Sequence, residues 1–424
     1  EPFEGAVASF TDSGLVPGAV YYYRVYAVSP YGTYSQDSAT ESTDRTGGNP
    51  FPFADDFEGS LESWNLGGTW DVTDTDRHTG TSSLTDSPAT TYADSSNSDV
   101  WTSINLVDSS WPVLRFWDRG AFYNLGDWGY VEVSPNGTSW TKIYSITGAR
   151  PTWTEQSLDL SRWKAEPNLR IRFVLLTDYS NVDDGWYIDD LSIADHLGGA
   201  VTIPFFEGFE PDTGSWLTSA WTTSPDSPHG GESCALSTPG GGIKDRTEHA
   251  IELAGTLDLS ALEDPQLTYW VRGATGNNGS FRVQVSTDGG LTWPDVPGTV
   301  IGESWTAGWT RFQVSLAAYK QSGVRLRFVQ NQGSYNNSAA LFLDDIAIED
   351  MPENVTLDVP DQITISSMHL SWNDLNDSDF AAYAVYRSQS PTVDTGSELV
   401  ATITEQTTTE LLDSDLQART TYYY

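Results

Sequence analysis

The chain has 424 residues, with 59 Asp and Glu against 21 Lys and Arg, which sets its net charge at −38 at pH 7. Charge of this sign is repelled by nucleic-acid phosphates and by anionic lipid, which excludes both as expected partners, and no 18-residue apolar run exists to cross a bilayer. Cys234 stands alone, so an intrachain disulfide is excluded and stability must come from a core.

Apolar residues make up 38%, and 17 Trp, 20 Tyr and 16 Phe offset scarce aliphatics. Aromatic and β-branched residues interleaved with Gly, Ser and Thr predict an all-β protein, and no segment shows sustained helical periodicity. The length allows roughly three domains, each able to bury a core. An acidic chain with one cysteine suits a secreted prokaryotic protein better than a disulfide-bearing eukaryotic ectodomain. It opens on Glu1-Pro-Phe-Glu4, without the basic start and apolar run of a signal peptide.

In chain order, residues 1–46 predict a Pro17-Gly18 turn that feeds an alternating strand through Tyr21, Val25 and Ala27, with another strand around 35–43. Two larger blocks follow, 50–195 and 201–350, joined by the short linker Asp195-His-Leu-Gly-Gly-Ala200. Each is a series of short alternating strands, such as Val131–Ser134 and Phe281–Ser286, separated by turn clusters; that is the pattern of a β-sandwich or jelly roll. Residues 352–424 offer further strands at Val355–Val359, Ile365–Trp372, Ala382–Arg387, Leu399–Ile403 and Leu416–Tyr424.

The two blocks repeat each other. Pro112-Val-Leu-Arg-Phe-Trp-Asp-Arg-Gly120 returns as Pro265-Gln-Leu-Thr-Tyr-Trp-Val-Arg-Gly273, Arg170–Val174 as Arg325–Val329, and Tyr187–Ile193 as Phe342–Ile348, at offsets of 153, 155 and 155 residues. The opening Phe57-Glu58…Ser63-Trp64 and the closing Ile188-Asp-Asp-Leu191 recur as Phe209-Glu210…Ser215-Trp216 and Leu343-Asp-Asp-Ile346. These motifs resemble MAM-like and immune-inhibitor-A-like jelly rolls, which also look like carbohydrate-binding modules; the cysteines of the MAM type are absent, which points to the prokaryotic branch. Residues 1–46 and 352–424 resemble the late and early strands of fibronectin type III domains, with Tyr21 at the tyrosine corner, Trp372 as core tryptophan, and Tyr422 matching Tyr21. The expected fold is therefore all-β, with two tandem jelly-roll sandwiches flanked by partial fibronectin type III sandwiches.

Glu58 and Glu210 match between copies, as do Asp189-Asp190 and Asp344-Asp345. First and last strands of a jelly roll lie side by side, which brings these carboxylates together, and like charges repel unless a cation neutralises them. Hard oxygen ligands without His or Cys point to calcium, which tolerates irregular oxygen shells. The resemblance implies a structural calcium at the same place. Asp56 adds an oxygen on the same strand face as Glu58, although its counterpart is Gly208. The plainer alternative is solvated acids in an acidic chain.

Asp74-Thr-Asp76-Arg-His-Thr-Gly80 resembles a calcium loop but lacks the closing Glu and has no match in the second copy. His78 and His229 correspond, and each is expected to support its loop by a hydrogen bond; lone histidines in separate domains do not make a zinc site. Ser286-Thr-Asp-Gly-Gly-Leu-Thr-Trp293 resembles the Asp-box of sialidases. Asp288 is expected to brace the turn, Gly289 and Gly290 to take positive φ, and Trp293 to pack inward. Nucleophile elbows, zinc-protease motifs and phosphate loops are missing, so no enzyme is expected; the acid count leaves glycoside hydrolysis open, but the repeated acids sit where calcium is expected. Trp64, Trp70, Trp101, Trp128 and Trp153 are candidate sugar platforms, whereas Trp117 and Trp270 are expected in the core.

The function expected first is a repeating unit of a secreted, surface-attached extracellular filament or stalk, non-catalytic and calcium-stabilised. Its ends motivate that reading, because neither fragment alone buries enough apolar surface, whereas end-to-end self-association would complete one sandwich between neighbouring units. The alternative is a carbohydrate-binding adhesin, or the accessory region of a large secreted hydrolase, with glycans as ligands.

Overall fold

The computed structural model describes residues 20–25 and 39–44 as backbone, and 48–123, 126–210, 212–237, 247–275, 279–302, 308–331, 340–375 and 380–424 in full. Val20–Val25 pairs antiparallel with Ala39–Asp44, and the expected tyrosine corner at Tyr21 lies outside the described side chains. Nearly every element is a strand; the described exceptions are two single 3-10 turns, Ser161–Trp163 and Ala317–Tyr319. Among the described residues no helix is long and apolar enough to cross a membrane.

The first sandwich has two antiparallel sheets. One runs in the order Ala149–Asp159, Pro112–Ala121, Gly185–Asp195, Ser83–Thr85, Asp71–Thr73, with Phe53–Asp55 also paired to Gly185–Asp195. The other runs Thr141–Ile146, Trp128–Ser134, Leu169–Leu176, Asn97–Ile104, Asn65–Leu66. Strand periodicity sends Leu114, Phe116 and Asp118 inward and Arg115, Trp117 and Arg119 outward. The core between the sheets is aromatic: Phe116 meets Phe173 edge-on at 5.3 Å, and Phe173 meets Trp186 at 5.5 Å. Such pairs add about 0.5–1.5 kcal/mol beyond their buried area. Asp118 is fully buried there because Tyr144, Gln156, Trp186 and Arg150 all donate to it, at 2.7 to 3.1 Å.

The second sandwich repeats the plan. Trp221–Ser224, Cys234–Ser237, Leu341–Asp350, Pro265–Gly273 and Thr310–Ser315 form one sheet, with Phe205–Glu207 against Leu341–Asp350. Trp216–Thr218, Glu248–Leu253, Arg325–Asn331 and Ser280–Ser286 form the other. Tyr269, Phe281 and Phe328 fill its centre. The Asp-box-like turn behaves as its residues dictate. Ser286 Oγ and the Thr292 N–H donate to Asp288 Oδ1, Gly289 and Gly290 have φ of 70° and 88°, and Trp293 is buried.

The two sandwiches meet along a buried seam centred on Arg325, which is 2% exposed. Its guanidinium pairs with Asp159 of the first sandwich at 3.0 Å and with Glu252 of the second, donates to Ser161 Oγ at 2.8 Å and Gly289 O at 3.1 Å, and lies 4.0 Å over the Trp111 ring. Arg325 touches both carboxylates, and Arg327 acts on them at longer range. Burial, reinforced by Asp159, pushes Glu252 up to about 7. Lys164 Nζ shares the Gly289 carbonyl at 3.0 Å, and farther along the seam the Ala220 N–H donates to Gln156 Oε1, also at 3.0 Å.

Residues 351–424 form a separate small unit of two strand pairs, Met368–Ser371 with Glu410–Asp413 and Tyr383–Arg387 with Glu398–Ile403. Its core is Leu370, Trp372, Leu375 and Tyr383, with Trp372 edge-on to Tyr383 at 5.4 Å. The strand expected over Leu416–Tyr424 is reduced to one bridge, Tyr423 to Ser388, because Leu416 and Gln417 give their N–H groups to Ser366 O and Tyr422 Oη instead of to a ladder. The strand expected at Val355–Val359 is likewise reduced to a bridge between Leu357 and Trp372, and Val359 is 89% exposed.

Candidate functional site

The matched carboxylates close one loop in each sandwich. The chain enters the first sandwich beside its last strand, since Phe53–Asp55 pairs with Leu191–Ile193. The ladder between Gly185–Asp195 and Pro112–Ala121 slips between Asp189 and Ser192, and within that bulge Asp190 takes φ 47°. Asp tolerates the left-handed region, and the bulge turns Asp190 away from the face that its neighbours occupy. Asp345 repeats this with φ 45°.

From there the paired acids hold the loop that follows Asp76. Asp189 Oδ2 accepts the N–H of His78 at 2.8 Å and of Thr79 at 3.2 Å, while its Oδ1 accepts the N–H of Asp190 at 2.8 Å. Asp190 Oδ2 lies 2.6 Å from His78 Nδ1 and its Oδ1 accepts the Thr79 hydroxyl at 2.7 Å. Glu58 Oε1 takes the N–H groups of Thr81 at 2.6 Å and Ser82 at 2.8 Å. These bonds, led by the Thr81 hydroxyl, hold the Glu58 carboxyl below the usual range. Asp189 is wholly buried, and burial pushes its carboxyl up against the bonds that favour the charged form.

The second copy repeats the backbone and histidine contacts of the clamp, with Gly230 and Glu232 where Thr79 and Thr81 supply hydroxyls in the first. His229 and Gly230 donate to Asp344 Oδ2 at 2.8 and 3.2 Å, His229 Nδ1 lies 2.5 Å from Asp345 Oδ2, and Glu232 and Ser233 donate to Glu210 Oε1 at 2.5 and 2.7 Å. Gly80 and Gly231 sit at φ 61° and 59°, where an added Cβ would lie 2.2 Å from Glu58 Oε1 and Glu210 Oε1. Glycine is required at both for conformation and for space.

Glu58, Asp189 and Asp190 are thus brought onto one loop, as are Glu210, Asp344 and Asp345, with protein donors on their oxygens. Asp56 is exposed and accepts the Glu58 N–H at 3.2 Å. Among the described residues no group of three or more His, Cys, Asp or Glu side chains is placed to hold one metal ion. Asp76 is engaged by Arg119 and by Trp153 Nε1.

A matched pair escaped the sequence reading. Asp55 Oδ1 accepts the Phe57 N–H and its Oδ2 the Trp64 indole N–H, at 2.9 and 2.8 Å; Glu207 does the same for Phe209 and Trp216, at 2.7 and 3.3 Å. The signal was an acid nine residues before each repeated tryptophan, hidden because the acid changes type.

Beside each clamp the histidine lies flat on a tryptophan of the outer sheet face. His78 stacks on Trp117 at 3.8 Å and His229 on Trp270 at 3.7 Å, with Trp153 and Trp309 at 6.0 and 5.9 Å from the same imidazoles. All four indoles are half-buried, so Trp117 and Trp270 lie outside the core that was expected for them. They occupy strand positions whose neighbours Phe116 and Tyr269 point inward, and a period of two leaves them outside. Trp64 and Trp70 correct the expectation in the other direction: at 6% and 3% exposed they are core residues and offer no platform. Trp101 and Trp128 are half-buried, the first under Arg170 at 4.8 Å and the second stacked with Tyr130.

Residues 251–349, in the second sandwich, match the family model for Reelin subrepeat B. Over 164 residues the chain is 32% identical to bacillopeptidase F of Bacillus subtilis (strain 168); the stretch is 35% of this chain and 11% of that protein. Among solved structures, the N-terminal CBM22-1–CBM22-2 tandem of Paenibacillus barcinonensis Xyn10C is 13% identical, covers 72% of this chain and 99% of its own, and has a TM-score of 0.26. The K3 cleaved adhesin domain of Lys-gingipain from Porphyromonas gingivalis W83 is 19% identical over 35% of this chain and 98% of its own, with a TM-score of 0.27. Likenesses at such scores carry no functional argument. The chain is similar to Reelin subrepeat B in its second sandwich, and to a short stretch of a much longer peptidase.

Proposed function

We propose that this chain is a non-catalytic extracellular binding segment, a carbohydrate-binding adhesin or the accessory region of a larger secreted protein. The observation that carries the reading is the duplicated His–Trp–Trp arrangement on the outer sheet faces. Half-exposed indoles fixed by stacking present apolar ring faces at little entropic cost, which is what the C–H face of a pyranose requires. The clamps beside them hold loops and give no nucleophile with a partnered base. The stretch shared with bacillopeptidase F, about a tenth of that protein, supports an accessory role. A filament subunit, the reading expected first, has less support.

Calcium at Glu58, Asp189 and Asp190, and at Glu210, Asp344 and Asp345, remains part of the proposal. These carboxylates would supply hard oxygens to the ion, and backbone carbonyls or water would have to complete its shell. The ion would supply neutralising charge and hold the loop; no chemistry passes through it.

A glycan array probed with the whole chain tests the main reading. Retention on a defined set of saccharides, lost in the Trp153→Ala, Trp309→Ala double variant, is expected. Absence of binding to any glycan overturns it.

A further inference from the structure

The outer face of the first sandwich and the near edge of the second enclose an open cleft of about 540 Å³. That volume falls within the range of about 300–1,000 Å³ typical of ligand sites. Trp117, Trp153, Arg115 and Glu155 line it from the first sandwich, and Asp212 and Thr222 from the second.

The wall from the first sandwich is fixed before any ligand arrives. Trp153 is held by its Nε1 bond to Asp76 at 3.2 Å, and Trp117 by the imidazole stacked on it. Arg115 donates to His196 Nδ1 at 2.9 Å. His196 Nε2 in turn lies 3.0 Å from the Ala254 carbonyl, so Nε2 carries the proton, Nδ1 accepts, and the ring is neutral. Burial lowers the pKa of His196, which agrees with that tautomer. Arg115 forms no ion pair among the described residues, and Glu155 acts on it only at longer range. The cleft therefore combines two aromatic surfaces, one unneutralised donor fork, two carboxylate acceptors and a hydroxyl that serves both ways.

We propose that this cleft binds a neutral oligosaccharide segment lying across both sandwiches; the proposal rests on the carbohydrate-binding reading above. Sugar hydroxyls donate to Glu155 and Asp212 and accept from Arg115, while pyranose faces pack on Trp117 and Trp153. A polyanionic saccharide is disfavoured by the two wall carboxylates and by a net charge of −38. The site is not duplicated. The second copy keeps Trp270 and Trp309 but has Thr268 where the first has Arg115 and Arg311 where it has Glu155. One site per chain follows, although the outer-face tryptophans come twice.

Isothermal titration of the whole chain tests this, with hexasaccharides of xylan, mannan, galactan and β-glucan as neutral probes and oligogalacturonate as the charged one. One neutral class should bind at one site per chain. Trp153→Ala should weaken it about tenfold or more and Asp212→Asn several-fold, whereas Tyr179→Ala, an 85% exposed ring that does not line the cleft, should leave it unchanged. The two weakening variants alter opposite walls, so a folding defect in one, visible in its melt, leaves the other as the test. Two equivalent sites per chain, preference for oligogalacturonate, or neutral binding untouched by both variants overturns the cleft while leaving the carbohydrate reading in place. No binding of any probe overturns both.

Discussion

Asp86 Oδ1 accepts the backbone N–H of Trp186 at 2.6 Å, inside the first sandwich and out of reach of water. Complete burial pushes this carboxyl up to about 7 against that bond. The second sandwich solves the same position without charge, since Ser237 Oγ accepts the Leu341 N–H at 3.1 Å. The folded protein keeps the Asp86 proton up to about pH 7, whereas the unfolded chain loses it near 3.8, so the stability this group lends at low pH is lost as pH rises between those values. The loss is on the order of 4 kcal/mol. Asp86→Asn keeps the acceptor and removes the titration. Its unfolding free energy should gain on the wild type steadily from pH 4 to 7 and run parallel above, as read by denaturant melts; a constant offset would refute the assignment.

Arg325→Met should cost roughly 3–5 kcal/mol at pH 7, because it leaves Asp159 and Glu252 in the seam without the cation that touches them, and only Arg327 at longer range. The penalty should shrink as pH falls below about 7, where burial lets Glu252 take up a proton and one of the stranded charges disappears. Calorimetry at pH 7.5 and 4.5 distinguishes this from a simple packing loss, which would not change with pH.

Gly80→Ala and Gly231→Ala each force a side chain onto a clamping glutamate at positive φ. Each should destabilise its own sandwich by more than about 1 kcal/mol and leave the other unaffected, as followed by hydrogen exchange. The calcium proposal predicts in addition that a chelator lowers the melting temperature of the wild type and has less effect on Glu58→Ala; an unchanged melt with no metal in elemental analysis would end it.

Cys234 is fully buried, and burial pushes its thiol up to about 12. Aromatic disulfide reagents should leave it unreacted in the folded chain at pH 8 and label it fully in denaturant. Rapid labelling of the native protein would show that the second sandwich opens near Ser224, whose carbonyl faces the sulfur at 3.5 Å.

The fold was legible because it was written twice. Strand periodicity and the doubled Ile188-Asp-Asp-Leu191 and Leu343-Asp-Asp-Ile346 motifs located both sandwiches, and the turn chemistry at Asp288 was readable from its own eight residues. Which tryptophans face outward was not. Trp64 and Trp153 look alike in sequence, and their fates depend on which side of a strand the opposite sheet covers. The clamp was half readable: matching marked its acids, but their partners are backbone N–H groups, which carry no signature. The cleft was invisible, because it depends on how two copies dock, and nothing local encodes the pairing of Arg325 with an aspartate 166 positions earlier.

The docking also has a direction. Aligned on Trp153 and Trp309, the second copy presents Ser315 and Ala317 where the first presents Asp159 and Ser161. A third copy added in the same manner would find a serine hydroxyl in place of the Asp159 carboxylate and no hydroxyl in place of Ser161, and its arginine would keep only the glutamate of its own sandwich. The contact is therefore polar in the sense of a plug and a socket, with the socket's carboxylate present on the first copy and missing from the second.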